Sequence, residues 1–254
     1  MADEQRLWVV IPAHNEEKWI AGTLASLARQ RDTAFTVLVV DNASTDATAE
    51  VVRQFGLDRP SMDIRVIAET EKGTGAACDT GIRHAIANGA THLARTDADC
   101  LAHPGWTAAV HRAFADGLEL VGGRIKARTD DLRVTVGERV TLAVLARVGV
   151  VLARLRPTMR GPEFLGPYVL CVGANSAITA ELYLRCGGYP RSSIEEDHED
   201  RTLTNRVRRV SRAYGRRRDM IVYWSLRRTK AWGMRNSMSW YADHGYRGEI
   251  VDVR

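Results

Sequence analysis

The sequence predicts an α/β protein with a mainly parallel sheet flanked by helices. Its first half alternates short β-branched runs with segments whose apolar residues recur at helical spacing, the pattern of β-α-β units. Polar residues, glycine or proline follow each run, and ligands of open α/β sheets collect at these strand ends. With 254 residues, 45% of them hydrophobic and 26% charged, the chain can bury one sizeable core. We therefore expect a single domain over residues 1–254.

The first strand is predicted at residues 7–11, where Pro12 ends it. Residues 17–29 carry apolar side chains at Trp19, Ile20, Leu24 and Leu27, which is helical spacing. The same criteria predict, in order, a strand at 35–40, a polar turn at 41–46, a helix to about 55, a strand at 64–67, a loop at 72–75, a helix to about 89 and a strand at 91–95.

The second half is less regular. The apolar segment 134–155 contains Glu138, Arg139, Arg147 and Arg154, which excludes a membrane-spanning helix. The other expected elements are a helix at 104–115, a strand at 118–121, a loop at 156–167, a strand at 169–172, a helix at 180–186 and a helix that follows the acidic segment 195–200 to about 210.

Composition limits the location and the partners. Residues 1–6 have no apolar core before a cleavage site, so we expect a cytoplasmic protein. The net charge of +5 comes from arginine, which suits phosphate, and leaves a peripheral contact with an anionic membrane surface open. The scattered cysteines at 78, 100, 171 and 186 form no C-x-x-C pair and are expected to be reduced.

Asp97 and Asp99 follow the fourth predicted strand, separated only by Ala98. Two carboxylates on a tight turn can hold Mg2+ or Mn2+ beside a diphosphate. The alternative is that these aspartates only cap the next helix. Asp41, Asn15, Glu16 and Lys72 would each have equally ordinary turn roles if taken singly, but they follow successive strands.

A carboxylate near an acceptor hydroxyl could serve as a general base. Asp200 lies where a helix is predicted to start, and Asp197 and Glu196 are rivals for that role. His14, His198 and His244 could complete a metal site, although lone histidines are more often structural. The arginines between 206 and 218 are expected on a solvated face. Arg227 and Arg228, further along the chain, are instead candidates for a contact with phosphate. Trp232 and Trp240 are expected to pack a C-terminal helix.

Seven ordered segments together resemble the family 2 glycosyltransferases of the GT-A fold, a Rossmann-like sheet with a less regular acceptor-binding half. The resemblance covers residues 7 to about 210. The segments are Val9–Glu16, Val39–Asp46, Lys72-Gly73, Thr96–Asp99, Pro104-x-Trp106, Gly187-Gly188-Tyr189 and Glu199-Asp200-x-x-Leu203-x-x-Arg206.

The resemblance implies an inverting sugar transfer from a UDP-, GDP- or dTDP-sugar to a small-molecule or glycan acceptor. Residues 7–121 would bind the donor and residues 122–254 the acceptor. Asp99 would bind the metal, with Asp97 as a second ligand or a contact to ribose or sugar, and Asp200 would be the base. The implied nucleotide-sugar contacts are Pro12, Ala13, Asn15, Glu16, Asp41, Asn42, Lys72, Asp97, Ala98 and Asp99.

Two departures from the family pattern stand out. His14 replaces the common aromatic residue before Asn15, and Ala43 stands where glycine is common after Asn42. Neither removes a proposed ligand.

Three other functions fit parts of the sequence less well. A sugar-1-phosphate nucleotidyltransferase would need a basic glycine-rich loop after the first strand, where this chain has Pro12 to Glu16. A nucleic-acid or anionic-surface binder could use the C-terminal arginines, but the sequence contains no recognised nucleic-acid module. A catalytically dead sugar binder is disfavoured by the intact aspartates. No nucleic-acid partner is therefore expected, and the oligomeric state is left open.

Overall fold

A computed structural model describes residues 5–132, 135, 137, 144, 159–191, 198–233, 235–237 and 239. One eight-stranded sheet has the order β3-β2-β1-β4-β7-β6-β8-β5. Its strands are β1 Leu7–Ala13, β2 Phe35–Asp41, β3 Ile64–Ala68, β4 His92–Arg95, β5 Leu101–Ala102, β6 Leu120–Ala127, β7 Ser176–Thr179 and β8 Tyr214–Trp224. The helices are α1 Ile20–Ala28, α2 Thr48–Leu57, α3 Thr74–Ala87, α4 Trp106–Ala115, α5 Ala180–Cys186, α6 Glu199–Val210 and α7 Arg227–Trp232.

Both faces of the sheet are buried at its centre, which explains the nearly continuous apolar run of β1. Val9 and Ile11 face one apolar cluster, which contains residues of α1, α2 and α4. Trp8 and Val10 face the other, which contains residues of α3, α5 and α6. The predicted α/β class with a mainly parallel sheet is confirmed.

The directions of the strands determine which loops meet at one edge of the sheet. Strands β1, β2, β3 and β4 run parallel to one another, so their carboxyl ends lie at one edge. Strand β7 is antiparallel to both β4 and β6, and β8 is parallel to β6. Strands β6 and β8 therefore run in the direction of β4, and their carboxyl ends lie at the same edge.

Several predicted elements need correction. The strand expected at 169–172 is wrong, because those residues form no strand and a 3-10 turn at Gly173–Asn175 leads into β7 instead. Strand β6 extends well beyond the expected 118–121. Strand β8 was not predicted. Its first half contains arginines at 216, 217 and 218, so its apolar positions Met220 and Val222 do not stand out as a strand pattern.

The apolar segment predicted at 134–155 lies outside the described residues, apart from three isolated positions. Among the described residues, no helix is long and apolar enough to cross a bilayer. All four cysteines are unpaired with one another in the structure.

Candidate active site

The loops that follow β1 and β2 are joined by hydrogen bonds. The amide of Asn15 donates to Ser44 Oγ at 3.0 Å, and Asn15 Oδ1 accepts from the amide of Thr45 at 2.8 Å. The amide of Glu16 donates to Thr48 Oγ1 at 2.8 Å. These bonds hold the segment from Pro12 to Glu16 against the polar turn after β2.

Two residues of these loops adopt left-handed backbone conformations. Asn15 has φ of 54° and Ala43 has φ of 55°. Asparagine tolerates this region, whereas alanine adopts it at a cost of roughly 1–2 kcal/mol. The hydrogen bonds between the two loops hold Ala43 in this left-handed conformation. Glycine is common at this position in the family that the sequence resembles.

Asn42 uses its side chain to organise the next loop. Its Nδ2 donates to the carbonyls of Glu69 and Glu71, at 3.1 and 2.7 Å, and its Oδ1 accepts from the amide of Gly73 at 2.9 Å. Lys72 is exposed beside this anchor. Asp41 Oδ1 is buried and has no hydrogen-bond partner in the described part of the chain, so it is available to a donor from a ligand.

The turn Asp97-Ala98-Asp99 is fixed through its backbone. Thr23 Oγ1 donates to the carbonyl of Ala98 at 2.6 Å, from α1. Arg128, just past the end of β6, donates to the carbonyl of Asp99 at 2.7 Å. The two carboxylates are held differently, because the Asp97 side chain is 34% exposed and that of Asp99 only 11%.

Arg227 joins this turn to the loop after β1. Its Nε donates to Asp99 Oδ2 at 3.1 Å, and its Nη2 donates to Glu16 Oε1. Burial raises the pKa of Glu16 to about 8, with Arg227 opposing that shift, and burial also raises the pKa of Asp99. The guanidinium also lies 5.5 Å from the Trp19 ring centre. A single cation thus compensates two buried acids.

The carboxylates of Asp97 and Asp99 fit Mg2+ or Mn2+ only if a bound substrate completes the coordination of the ion. Within the described residues, no group of three or more His, Cys, Asp or Glu side chains is placed to hold a metal ion. Mg2+ in particular is often held by one or two carboxylates together with substrate phosphates. Asp97 and Asp99 carry hard oxygen atoms of this kind, and Arg227 would have to leave Asp99 Oδ2 before a metal could bind there.

Arg95 connects the aspartate turn with the start of α6. Its Nη1 donates to Asp200 Oδ1 at 3.0 Å, and its Nη2 lies 3.3 Å from Glu199 Oε1 and 3.4 Å from Asp97 Oδ1. The Arg95 side chain is 5% exposed. One buried guanidinium therefore holds together carboxylates that lie more than 100 residues apart in the chain.

Asp200 is the more accessible of the two acids that open α6. Its Oδ2 accepts the amide hydrogen of Gly173 at 2.7 Å, and its side chain is 27% exposed. Burial and the adjacent Glu199 raise its pKa to about 7, and Arg95 opposes this rise. A carboxyl group that titrates near neutral pH can accept a proton from a substrate hydroxyl.

The structure thus brings Glu16, Asp41, Asp97, Asp99 and Asp200 to the predicted edge of the sheet. Asp197, Glu196 and His244 lie outside the described residues, as does Trp240. His14 Nδ1 lies 2.7 Å from the carbonyl of Asn42, a structural contact, and His198 is the residue before α6.

Sequence reasoning missed Arg95 and Arg128. A charged residue that closes an apolar strand was the available signal for Arg95. The solvated face expected for the arginines 206–218 is wrong at Arg208, which is 1% exposed. Arg208 donates to the carbonyls of Met159 and Gly166 and lies over the Phe164 ring.

Comparison with known proteins supports the same family. Residues 8–183 match the model of Glycosyl transferase family 2. The chain is 36% identical over 121 residues to glycosyltransferase AglE of Haloferax volcanii, covering 46% of this chain and 38% of that protein. It is 35% identical over 100 residues to the 4,4'-diaponeurosporenoate glycosyltransferase of Staphylococcus aureus, covering 38% of this chain and 24% of that protein. The chain therefore spans well under half the length of these relatives.

Solved structures share the fold. The mannosyltransferase PcManGT of Pyrobaculum calidifontis, in complex with GDP-Man and Mn2+, superposes with a TM-score of 0.68 at 22% identity, covering 96% of this chain and 64% of that one. TarS of Staphylococcus aureus, in complex with UDP, gives 0.62 at 17% identity, with coverage of 92% and 64%. These matches confirm the GT-A fold.

Proposed function

The chain belongs to glycosyl transferase family 2, and from that premise we propose that it transfers a sugar from a nucleotide-diphosphate sugar to a hydroxyl group of a discrete acceptor, with inversion at the sugar carbon. The observation that carries the proposal is the bridge made by Arg95. Its guanidinium contacts Asp97 of the aspartate turn and Asp200 at the start of α6. The turn proposed to bind the diphosphate and the carboxylate proposed to accept the proton therefore lie side by side.

The donor occupies the carboxyl ends of β1, β2 and β4 in this proposal. Asp41, with its unsatisfied buried oxygen, accepts a hydrogen bond from the nucleoside, and the segment from Pro12 to Glu16 packs beside it. Asn42 positions the loop that carries Lys72 toward the nucleotide. Asp97 contacts the ribose or the sugar, and Asp99 is the main metal ligand. The complexes of PcManGT with GDP-Man and of TarS with UDP support this class of donor.

Negative charge develops on the diphosphate as the bond between it and the sugar carbon breaks. A bound Mg2+ or Mn2+ ion would neutralise part of that charge as a Lewis acid. Arg227, which pairs with Asp99 and Glu16, would provide a second cation at this turn once released from them. Trp19 supports the guanidinium through its ring face.

Asp200 acts as the general base. The acceptor oxygen forms its bond to the sugar carbon on the face opposite the diphosphate, and its proton passes to Asp200. Arg95 and the amide of Gly173 orient the carboxylate for this transfer. The acceptor half, residues 122–254, begins within β6 and includes Asp200.

A thermal-shift panel tests the donor. UDP-, GDP- and dTDP-sugars are added with Mn2+ or with chelator, because a ligand that binds only the folded state raises its melting temperature. One nucleotide class is expected to stabilise the protein with Mn2+ and to lose the effect in chelator. Equal shifts for all nucleotides with and without metal would contradict the proposal.

The base is tested by Asp200→Asn, with Asp197→Asn as its rival. Asp200→Asn is expected to retain donor binding by calorimetry and to reduce sugar transfer by roughly 100-fold or more, the usual scale of general-base catalysis. Loss of transfer in Asp197→Asn alone would assign the base to Asp197 instead.

A further inference from the structure

Three cationic side chains share one face of the sheet beside the site. Arg124 and Lys126 lie on β6 and Arg216 lies on β8, and we call this set the basic strip. Successive side chains of a strand point to opposite faces. Val121 and Ile125 of β6 belong to the apolar cluster of α1, α2 and α4, so Arg124 and Lys126 face the other side, where α6 carries Asp200. Arg216 pairs with Gly122, which contacts Cys171 on that same side.

The basic strip lies beside the proposed base, on strands that follow β4 and β7 in the order of the sheet. Arg128 follows Lys126 by two residues, just past the carboxyl end of β6. Its Nη1 donates to the carbonyl of Asp99 at 2.7 Å. Earlier on β6, the carbonyl of Arg124 accepts a hydrogen bond from Asn175 Nδ2 at 3.0 Å. Asn175 belongs to the same 3-10 turn as Gly173, whose amide binds Asp200 at 2.7 Å. The backbone that carries Arg124 is therefore joined, through this turn, to the group that holds Asp200.

The charges of the basic strip are not compensated by carboxylates. Within the described part of the chain, its members form no ion pair, in contrast to Arg95, Arg191 and Arg227. Lys126 lies 5.8 Å from the Tyr223 ring centre, and Arg216 donates only to the carbonyl of Gly123, at 3.2 Å. Arg124 and Arg216 are exposed and Lys126 is half-buried. Neighbouring cations without counter-ions attract an anionic group.

We propose that the basic strip binds a phosphate group of the acceptor, so that the substrate is a phosphate-bearing hydroxyl compound. The proposal rests on the function proposed above. Arginine offers a planar fork of donors and lysine a compact charge, and together they match the oxygens of a phosphate ester. Anchoring that phosphate on β6 and β8 leaves a hydroxyl of the same molecule free to reach Asp200.

The test measures binding of glycerol 3-phosphate, and glycerol serves as the uncharged control. The protein is first saturated with Mn2+ and with the nucleoside diphosphate that the thermal-shift panel identifies. Saturation excludes the probe from the donor site. Arg124→Gln combined with Lys126→Gln is compared with Arg53→Gln combined with Arg59→Gln, which removes the same charge from exposed positions on and just after α2. A second arm uses phosphatidylcholine vesicles with or without phosphatidic acid, to distinguish a free phosphate ester from a lipid-borne one.

Wild type and the α2 control are expected to bind at least one of the two phosphate probes and neither of the neutral ones. The strip variant should bind that probe about tenfold more weakly or worse, since each charge-assisted contact contributes more than a neutral hydrogen bond. Binding of the nucleoside diphosphate should be the same in all three proteins, and its absence would refute the proposed function instead. If neither phosphate probe binds wild type, or if both double variants lose binding equally, the basic strip is only a solvated surface and the proposal is overturned.

Discussion

Arg95→Met removes the buried cation that holds three carboxylates together, and its cost can be worked out from the structure. The Arg95 side chain is 5% exposed and contacts Asp97, Glu199 and Asp200, whose side chains are 34%, 12% and 27% exposed. Removing one partner of a buried ion pair typically costs 3–5 kcal/mol. Because Asp97 and Asp200 retain partial contact with solvent, we expect the lower end of that range, about 3 kcal/mol, at pH 8.

The cost should depend on pH in a definite direction. Burial already raises the pKa of Asp200 to about 7, and loss of Arg95 removes the charge that opposes this rise. The folded variant therefore binds more protons than its unfolded chain at mildly acidic pH, so its stability falls as pH increases. At pH 5, where Asp200 is protonated in the folded protein, the cost should be clearly smaller than at pH 8.

Urea unfolding at both pH values measures this difference. Arg112→Met is the matched control, since Arg112 pairs with Asp219 at the surface, where the two side chains are 54% and 42% exposed, and such pairs contribute about 1 kcal/mol or less. The reasoning is refuted if Arg95→Met costs the same at pH 5 and pH 8, or no more than Arg112→Met. A uniform cost would mean that protonation of Asp200 is not coupled to Arg95.

Three further changes test other parts of the account. Ala43→Gly should raise the free energy of unfolding by about 0.5–1 kcal/mol, because relief of the left-handed strain at φ 55° exceeds the entropy that glycine adds to the unfolded chain; a loss of stability in urea would count against that strain. Glu16→Gln should flatten the decline of stability with pH: the pKa of Glu16 rises from 4.5 to about 8 on folding, so wild type loses up to roughly 1.4 kcal/mol per pH unit within that window. An equal difference between wild type and Glu16→Gln from pH 5 to pH 9 would disprove this. Asn42→Ala should cost about 2–3 kcal/mol and weaken nucleotide binding, since three backbone groups lose their partner; unchanged nucleotide affinity by calorimetry would separate Asn42 from the site.

Local patterns were enough to predict the first half of the fold. The alternation of apolar runs and helical spacing placed β1 to β4 and α1 to α4 within a few residues, because both faces of these strands pack against helices. The same patterns placed Asp41, Asp97 and Asp99 at the ends of their strands.

Long-range contacts decided what the sequence could not show. Arg227 reaches Asp99 across 128 positions and Glu16 across 211, a distance in the chain that no local pattern encodes. Strand β8 was hidden because its first half carries consecutive arginines, whereas its second half packs Met220 and Val222 into the core. Arg208 is buried because the carbonyls of Met159 and Gly166 satisfy its donors, and nothing in its own segment signals those partners.

The central claim is that the aspartate turn at the end of β4 binds a metal-bound diphosphate. Calorimetric titration of UDP and GDP in Mn2+, repeated in chelator and with Asp99→Asn, tests it most directly. We expect one of the two nucleotides to bind with Mn2+, and either chelator or Asp99→Asn to weaken its affinity at least tenfold, about 1.4 kcal/mol. The same affinity under all three conditions would contradict it.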